Sequence, residues 1–124
     1  MENPNKHRTG LTHVWHATGV ALQGLHAAWQ HEDAFRQEVL IAAIAVPVAL
    51  IFPTDLLAKA LMVSSILLVL IVELINSALE ATVDHTSLER HPLAKRAKDI
   101  ASAAVLLSIV NACMVWLLVL YQYA

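Results

Sequence analysis

From Ile100 to Tyr121 the chain carries no charged residue, and that run limits the fold more than any other feature. About 20 consecutive apolar residues are what an α-helix needs to cross the hydrocarbon core of a bilayer. Within that core only helices and closed barrels satisfy their backbone polar groups. The hydrophobic share of the whole chain, 58%, also exceeds the usual composition of a soluble domain. An all-α membrane protein is therefore expected.

Two more spans precede this run. Val39 to Phe52 is apolar and reaches spanning length if its helix begins near Ala34, with Asp33, Arg36 and Glu38 at the interface. Pro47 predicts a kink inside it. Phe52-Pro53-Thr54-Asp55 reads as a turn with an N-capping residue for the helix that follows. That helix, Leu56 to about Asp84, is longer than one bilayer thickness, so Glu80 and Asp84 should emerge into the interface or water. His85 to Pro92 is the connecting loop, and Ala94-Lys95-Arg96-Ala97-Lys98-Asp99 is a charged helix start. The spans are expected at about residues 34–52, 56–84 and 98–121, all within a single domain of residues 1–124.

Ahead of them, Leu11, Val14, Trp15, Thr18, Leu22, Leu25 and Trp29 recur at helical spacing, with His13, His16, Gln23 and Gln30 opposite or flanking. This predicts an amphipathic surface helix at about residues 10–31. The N-terminal stretch has histidines and glycines where a signal peptide would have a compact apolar core, so none is expected. Lys6, Arg8 and Arg36 precede the first span, Lys59 alone lies near the first turn, Arg90, Lys95, Arg96 and Lys98 lie between the second and third spans, and neither Lys nor Arg follows. The positive-inside rule then places the N-terminus and the second loop in the cytoplasm.

Several classes fall away. A net charge of -2 without a basic run argues against nucleic acid as a partner. Gly19 to Gly24 has the spacing of a phosphate-binding loop, but Leu25-His26 stands where Lys and Ser or Thr are required, so a P-loop is excluded. Cys113 is the sole cysteine and forms no intramolecular disulfide.

The chemistry is concentrated near the end of the second span. At about 100° per residue, Glu73, Asn76, Ser77, Glu80 and Asp84 fall within roughly 60° of one line on the helix. A carboxylate near the bilayer centre costs roughly 2.5–3.5 kcal/mol on insertion scales, so Glu73 should face a bundle interior. Glu32, Asp33, Glu38, Lys98 and Asp99 gather at the same level. Clustered carboxylates with an amide are hard oxygen ligands suited to Mg²⁺ in the company of phosphates, and a lysine at a helix start can neutralise phosphate charge. Phosphoryl transfer needs little more than such positioning and charge. Intramembrane Glu and Asn also mark ion or proton pathways, but here the outer halves of the spans are almost uninterruptedly apolar. A purely structural assembly subunit is disfavoured by the insertion cost of Glu73.

Glu73-Leu-Ile-Asn76-Ser77-Ala78-Leu-Glu80-Ala-Thr-Val-Asp84, with Ala34-Phe35-Arg36-Gln37-Glu38 upstream and Arg96-Ala97-Lys98-Asp99-Ile-Ala-Ser-Ala-Ala-Val downstream, resembles the small integral-membrane diacylglycerol kinases of bacteria. The resemblance runs from about Gly19 to Trp116. It implies an ATP- and Mg²⁺-dependent lipid kinase of the bacterial inner membrane, a homotrimeric bundle of three-span subunits whose active sites are shared between neighbours. Glu73 matches the family's catalytic base, Glu32 and Glu80 its metal-binding carboxylates, and Asn76, Lys98 and Asp99 residues that contact nucleotide or order the site. Glu32 and Glu80 would also contact nucleotide, as would His13. Glu38, Glu73 and Ser102 are expected on the lipid substrate. The departures are His13, His16, Gln23 and His26 where the family's surface helix is basic, and Arg90 where its second loop has an aromatic. The same acidic signature occurs in undecaprenol kinases, so the motif alone leaves undecaprenol as an alternative acceptor, while the Ala34-Phe35-Arg36-Gln37-Glu38 segment and the long surface helix resemble the diacylglycerol branch.

Overall fold

The computed structural model describes residues 10–86 and 91–123; Lys6, Arg8 and Arg90 lie outside them. Among the described residues there are four helices, α1 Gly10–His31, α2 Asp33–Ile51, α3 Leu56–Thr86 and α4 Pro92–Tyr121. The chain divides into two compact units, Met1–Glu32 and Asp33–Ala124.

In the first unit, Gly10 takes φ +63° where α1 begins, a left-handed conformation open to glycine at no steric cost. The apolar side of α1 is exposed at Leu11, Val14, Trp15 and Leu22. Thr18, on that same side, donates its hydroxyl to the Val14 carbonyl at 2.8 Å, so an otherwise apolar face carries no open donor.

In the second unit α2, α3 and α4 are each long and apolar enough to cross a membrane, and α3 packs against both of the others. The buried residues of α3 are Ala58, Met62, Ser65, Val69, Glu73, Asn76 and Ser77. They recur every three or four positions, the spacing of one helix face, while Leu61, Leu68, Ile71 and Ile75 point outward. Glu73 and Asn76 thus continue the packing seam that begins at Ala58, away from lipid.

The end of the bundle remote from the carboxylates is closed by apolar packing. Ala49 of α2, Ala58 and Met62 of α3 and Val119 of α4 form a core, joined by Phe52, Val63, Val115 and Trp116. Trp116 donates its indole N–H to the Met62 carbonyl at 3.2 Å. That bond ties α4 to α3. The capping residue of the Phe52–Asp55 turn is Asp55, which accepts from the Ala58 amide at 2.7 Å. Lys59 donates to the Leu50 carbonyl at 2.8 Å, satisfying one of the open acceptors at the end of α2.

Helix α4 begins at Pro92, six residues ahead of the span start expected from apolar content. Pro92 occupies the first turn, where its missing N–H is no loss, and His91 caps the helix by accepting from the Leu93 amide at 3.1 Å. The Lys95–Asp99 pair at 2.7 Å then supports the first turns at i,i+4 spacing. Charge in that stretch marks where the helix leaves lipid, and the helix itself continues beyond it.

Candidate functional site

The polar residues of α3 form a graded series. Glu73 is 5% exposed, Asn76 8% and Ser77 9%; Glu80 is half-buried and Asp84 exposed. The gradient follows from one helical line emerging from between its neighbours. Asn76 Nδ2 donates to Glu80 Oε1 at 3.4 Å, the i,i+4 reach of adjacent turns.

Helix α2 brings Glu38 to this line, close enough to Glu73 for the two charges to interact. From α4, Lys98 forms an ion pair with Asp84 and also lies within reach of the Glu80 charge. Three helices therefore supply one strip: the Glu38–Glu73 carboxylates deepest, Asn76 and Glu80 in the middle, and the Asp84–Lys98 pair outermost.

The strip has open polar valences. Ser65 and Ser108, also buried, give their hydroxyls to backbone carbonyls of their own helices, Met62 at 2.7 Å and Val105 at 2.6 Å. In contrast, Glu38 Oε2, Asn76 Oδ1 and Ser77 Oγ are buried without a hydrogen-bond partner, the only other such atom among the described residues being Thr54 Oγ1 in the remote turn. Unpartnered buried oxygens are costly, and three at one place are acceptors left for something else to satisfy.

Among the described residues no group of three or more His, Cys, Asp and Glu side chains stands ready to hold a metal alone. Mg²⁺ does not require one, because it binds through one or two carboxylates with substrate phosphates and water. Glu80 and the free Oδ1 of Asn76 are hard oxygen donors of that kind, so the residues present fit the ion.

The remaining expected residues divide. Asp99 turns to Lys95 on its own helix, 63% exposed, and Ser102 is exposed on α4. His13 is exposed on α1, and Glu32, half-buried, ends the first unit with its amide donating to the Ala28 carbonyl at 2.9 Å. Asp84 was legible only as a member of the stripe; its bond to Lys98 joins residues from two helices and has no signal in sequence spacing.

The family model for prokaryotic diacylglycerol kinase matches residues 19–120. The chain is 48% identical over 118 residues to a diacylglycerol kinase of Pseudomonas aeruginosa, covering 95% of this chain and 96% of that protein. It is 44% identical over 115 residues to a diacylglycerol kinase of Escherichia coli K12, covering 93% and 94%. To one of Helicobacter pylori 26695 it is 41% identical over 115 residues, covering 90% of each.

Proposed function

The chain belongs to the prokaryotic diacylglycerol kinase family and is a multi-pass membrane lipid kinase, and on that premise we propose that Glu73 is the general base in phosphorylation of diacylglycerol to phosphatidic acid by ATP. The observation that supports this most is the burial of Glu73 beside Glu38, deeper than every other carboxylate on the α3 line. A lipid hydroxyl lies just beneath the headgroups while ATP stays in water, so the deepest carboxylate is the one that meets the hydroxyl.

In this reading a Glu73 carboxylate oxygen accepts the hydroxyl proton as the lipid oxygen bonds to the γ-phosphorus and the bond from that phosphorus to the β–γ bridging oxygen breaks, releasing ADP. Glu38 stands beside Glu73 on the lipid side of the site, the place that the family resemblance implies for it. Asn76 orients the nucleotide, and Lys98 offers its positive charge to the phosphates. Asp99, His13 and Ser102 keep the roles that the family resemblance implies, on nucleotide for the first two and on lipid for the third. Glu80, and by the same resemblance Glu32, are the carboxylates that would hold Mg²⁺. When bound, the ion would neutralise phosphate charge and raise the electrophilicity of the γ-phosphorus. We further place the protein in the bacterial inner membrane with its N-terminus cytoplasmic, as a homotrimer with sites shared between neighbouring subunits.

Purified protein given labelled ATP and Mg²⁺ with either dioleoylglycerol or undecaprenol tests the acceptor. Labelled phosphatidic acid is expected. Label in undecaprenyl phosphate alone, or phosphate released without either lipid being labelled, would overturn the reading.

A further inference from the structure

Asn111 stands midway along the charge-free run from Ile100 to Tyr121, about 16 Å from either end at 1.5 Å per residue, and so near the centre of the bilayer. Its side chain is half-buried. The buried hydroxyls of this part of the bundle, Ser65 and Ser108, donate to carbonyls of their own helices, and the Trp116 indole donates to Met62. Asn111 and the exposed Ser64 differ from them: among the described residues neither makes a side-chain hydrogen bond.

These two residues share one outer face. On α4 the buried residues are Ser108, Ala112 and Val119. At 100° per residue Asn111 lies about 80° to one side of them, while Ile109 and Cys113, which line a cleft with Glu38 and Ile41 of α2, lie to the other. Asn111 is therefore on the flank of α4 remote from α2. On α3, Ile66 and Leu70 turn to the same cleft, and Ser64, Leu68 and Ile75 lie on the opposite flank, exposed. The remaining outward sides are aliphatic, as at Leu40 and Ile44 of α2 and Leu106, Val110 and Leu117 of α4. An amide and a hydroxyl thus interrupt only the outer face that α3 and α4 share.

We propose that this face packs against a second copy of the chain and that Asn111 hydrogen-bonds across the contact, in the middle of the membrane. The inference rests on the homotrimer given above and deepens it by naming the surface and the residue. Lipid chains offer an amide neither donor nor acceptor, whereas Asn side chains do hydrogen-bond from one membrane helix to another. The amide both donates and accepts, so a partner carrying the same groups can satisfy it. Copies related by an axis along the bilayer normal present Asn111 and Ser64 to one another at constant depth, as cyclic symmetry requires.

Assembly of full-length protein, labelled at its N-terminus with donor and acceptor dyes and diluted into detergent, tests the bond. One hydrogen bond between membrane helices shifts an equilibrium constant about 3- to 20-fold. A trimer has three, and its midpoint concentration goes as the square root of the dissociation constant, so Asn111→Val should raise the protein-to-detergent ratio at half assembly at least about fivefold. Asn111→Gln, which keeps the amide, and Leu106→Ala, on an aliphatic side, should each stay within about twofold. In a Cys113→Ala background a short bismaleimide should link copies through Leu68→Cys and not through Leu106→Cys. Unchanged assembly of Asn111→Val, or links through Leu106→Cys and none through Leu68→Cys, would overturn the inference and leave the trimer standing. A parent protein that stays monomeric at every ratio would overturn the trimer as well.

Discussion

Replacing Glu73 by Gln separates a base from a bridge between helices. The side chain is 5% exposed and faces the Glu38 carboxylate across the α2–α3 contact. Glutamine keeps the size and the hydrogen-bonding oxygen but cannot take a proton from a hydroxyl. A thermal midpoint measured on the same preparation separates a lost proton acceptor from a disturbed fold. A positioned base contributes about 10²–10⁴-fold, or about 2.7–5.4 kcal/mol of barrier at 1.36 kcal/mol per tenfold. Hydrogen bonds between membrane helices average about 0.6 kcal/mol and reach about 1.7, a loss of stability that leaves the turnover of still-folded protein nearly unchanged. The two roles therefore do not overlap in magnitude. Turnover measured with labelled ATP at saturating dioleoylglycerol and Mg²⁺, with the oligomer checked by light scattering, should fall at least about 100-fold. Turnover within about 20-fold of the parent, with the oligomer intact, refutes the assignment and moves the base to Glu80 or Asp99.

Three further outcomes are expected. Glu80→Gln and Glu32→Gln should each raise the Mg²⁺ concentration for half activity several-fold while leaving the protein inserted; identical titration curves in both would place the metal elsewhere. A reporter fused after Ala124 should be periplasmic and one inserted near Leu88 cytoplasmic, and finding both on one side contradicts the three-span arrangement. Asp55→Ala removes the oxygen that accepts from the Ala58 amide and should cost about 1 kcal/mol, typical of an N-cap, seen as a lower thermal midpoint with kcat unchanged; a lost kcat at an equal midpoint would mean that the turn communicates with the site.

Helix number, their approximate ends and the polar line on α3 were readable from the residues, because a bilayer makes hydropathy and helical period nearly sufficient constraints. A capping turn ahead of α3 was readable because such a bond is local, spanning three residues, and the structure identifies Asp55 as the residue that makes it. Element ends set by charge were less legible: α4 starts at Pro92 because a proline and a capping histidine begin a helix whether or not lipid surrounds it. Only the tertiary structure decided what meets what. That Glu38 opposes Glu73, that Lys98 reaches Asp84 while its neighbour Asp99 turns to Lys95, and that Trp116 points into the bundle all depend on how α3 is rotated against α2 and α4. At the opposite end Ala49, Ala58, Met62 and Val119 pack together from the three helices. Small and large side chains interlock there across positions far apart in sequence, and no spacing along the chain encodes the result.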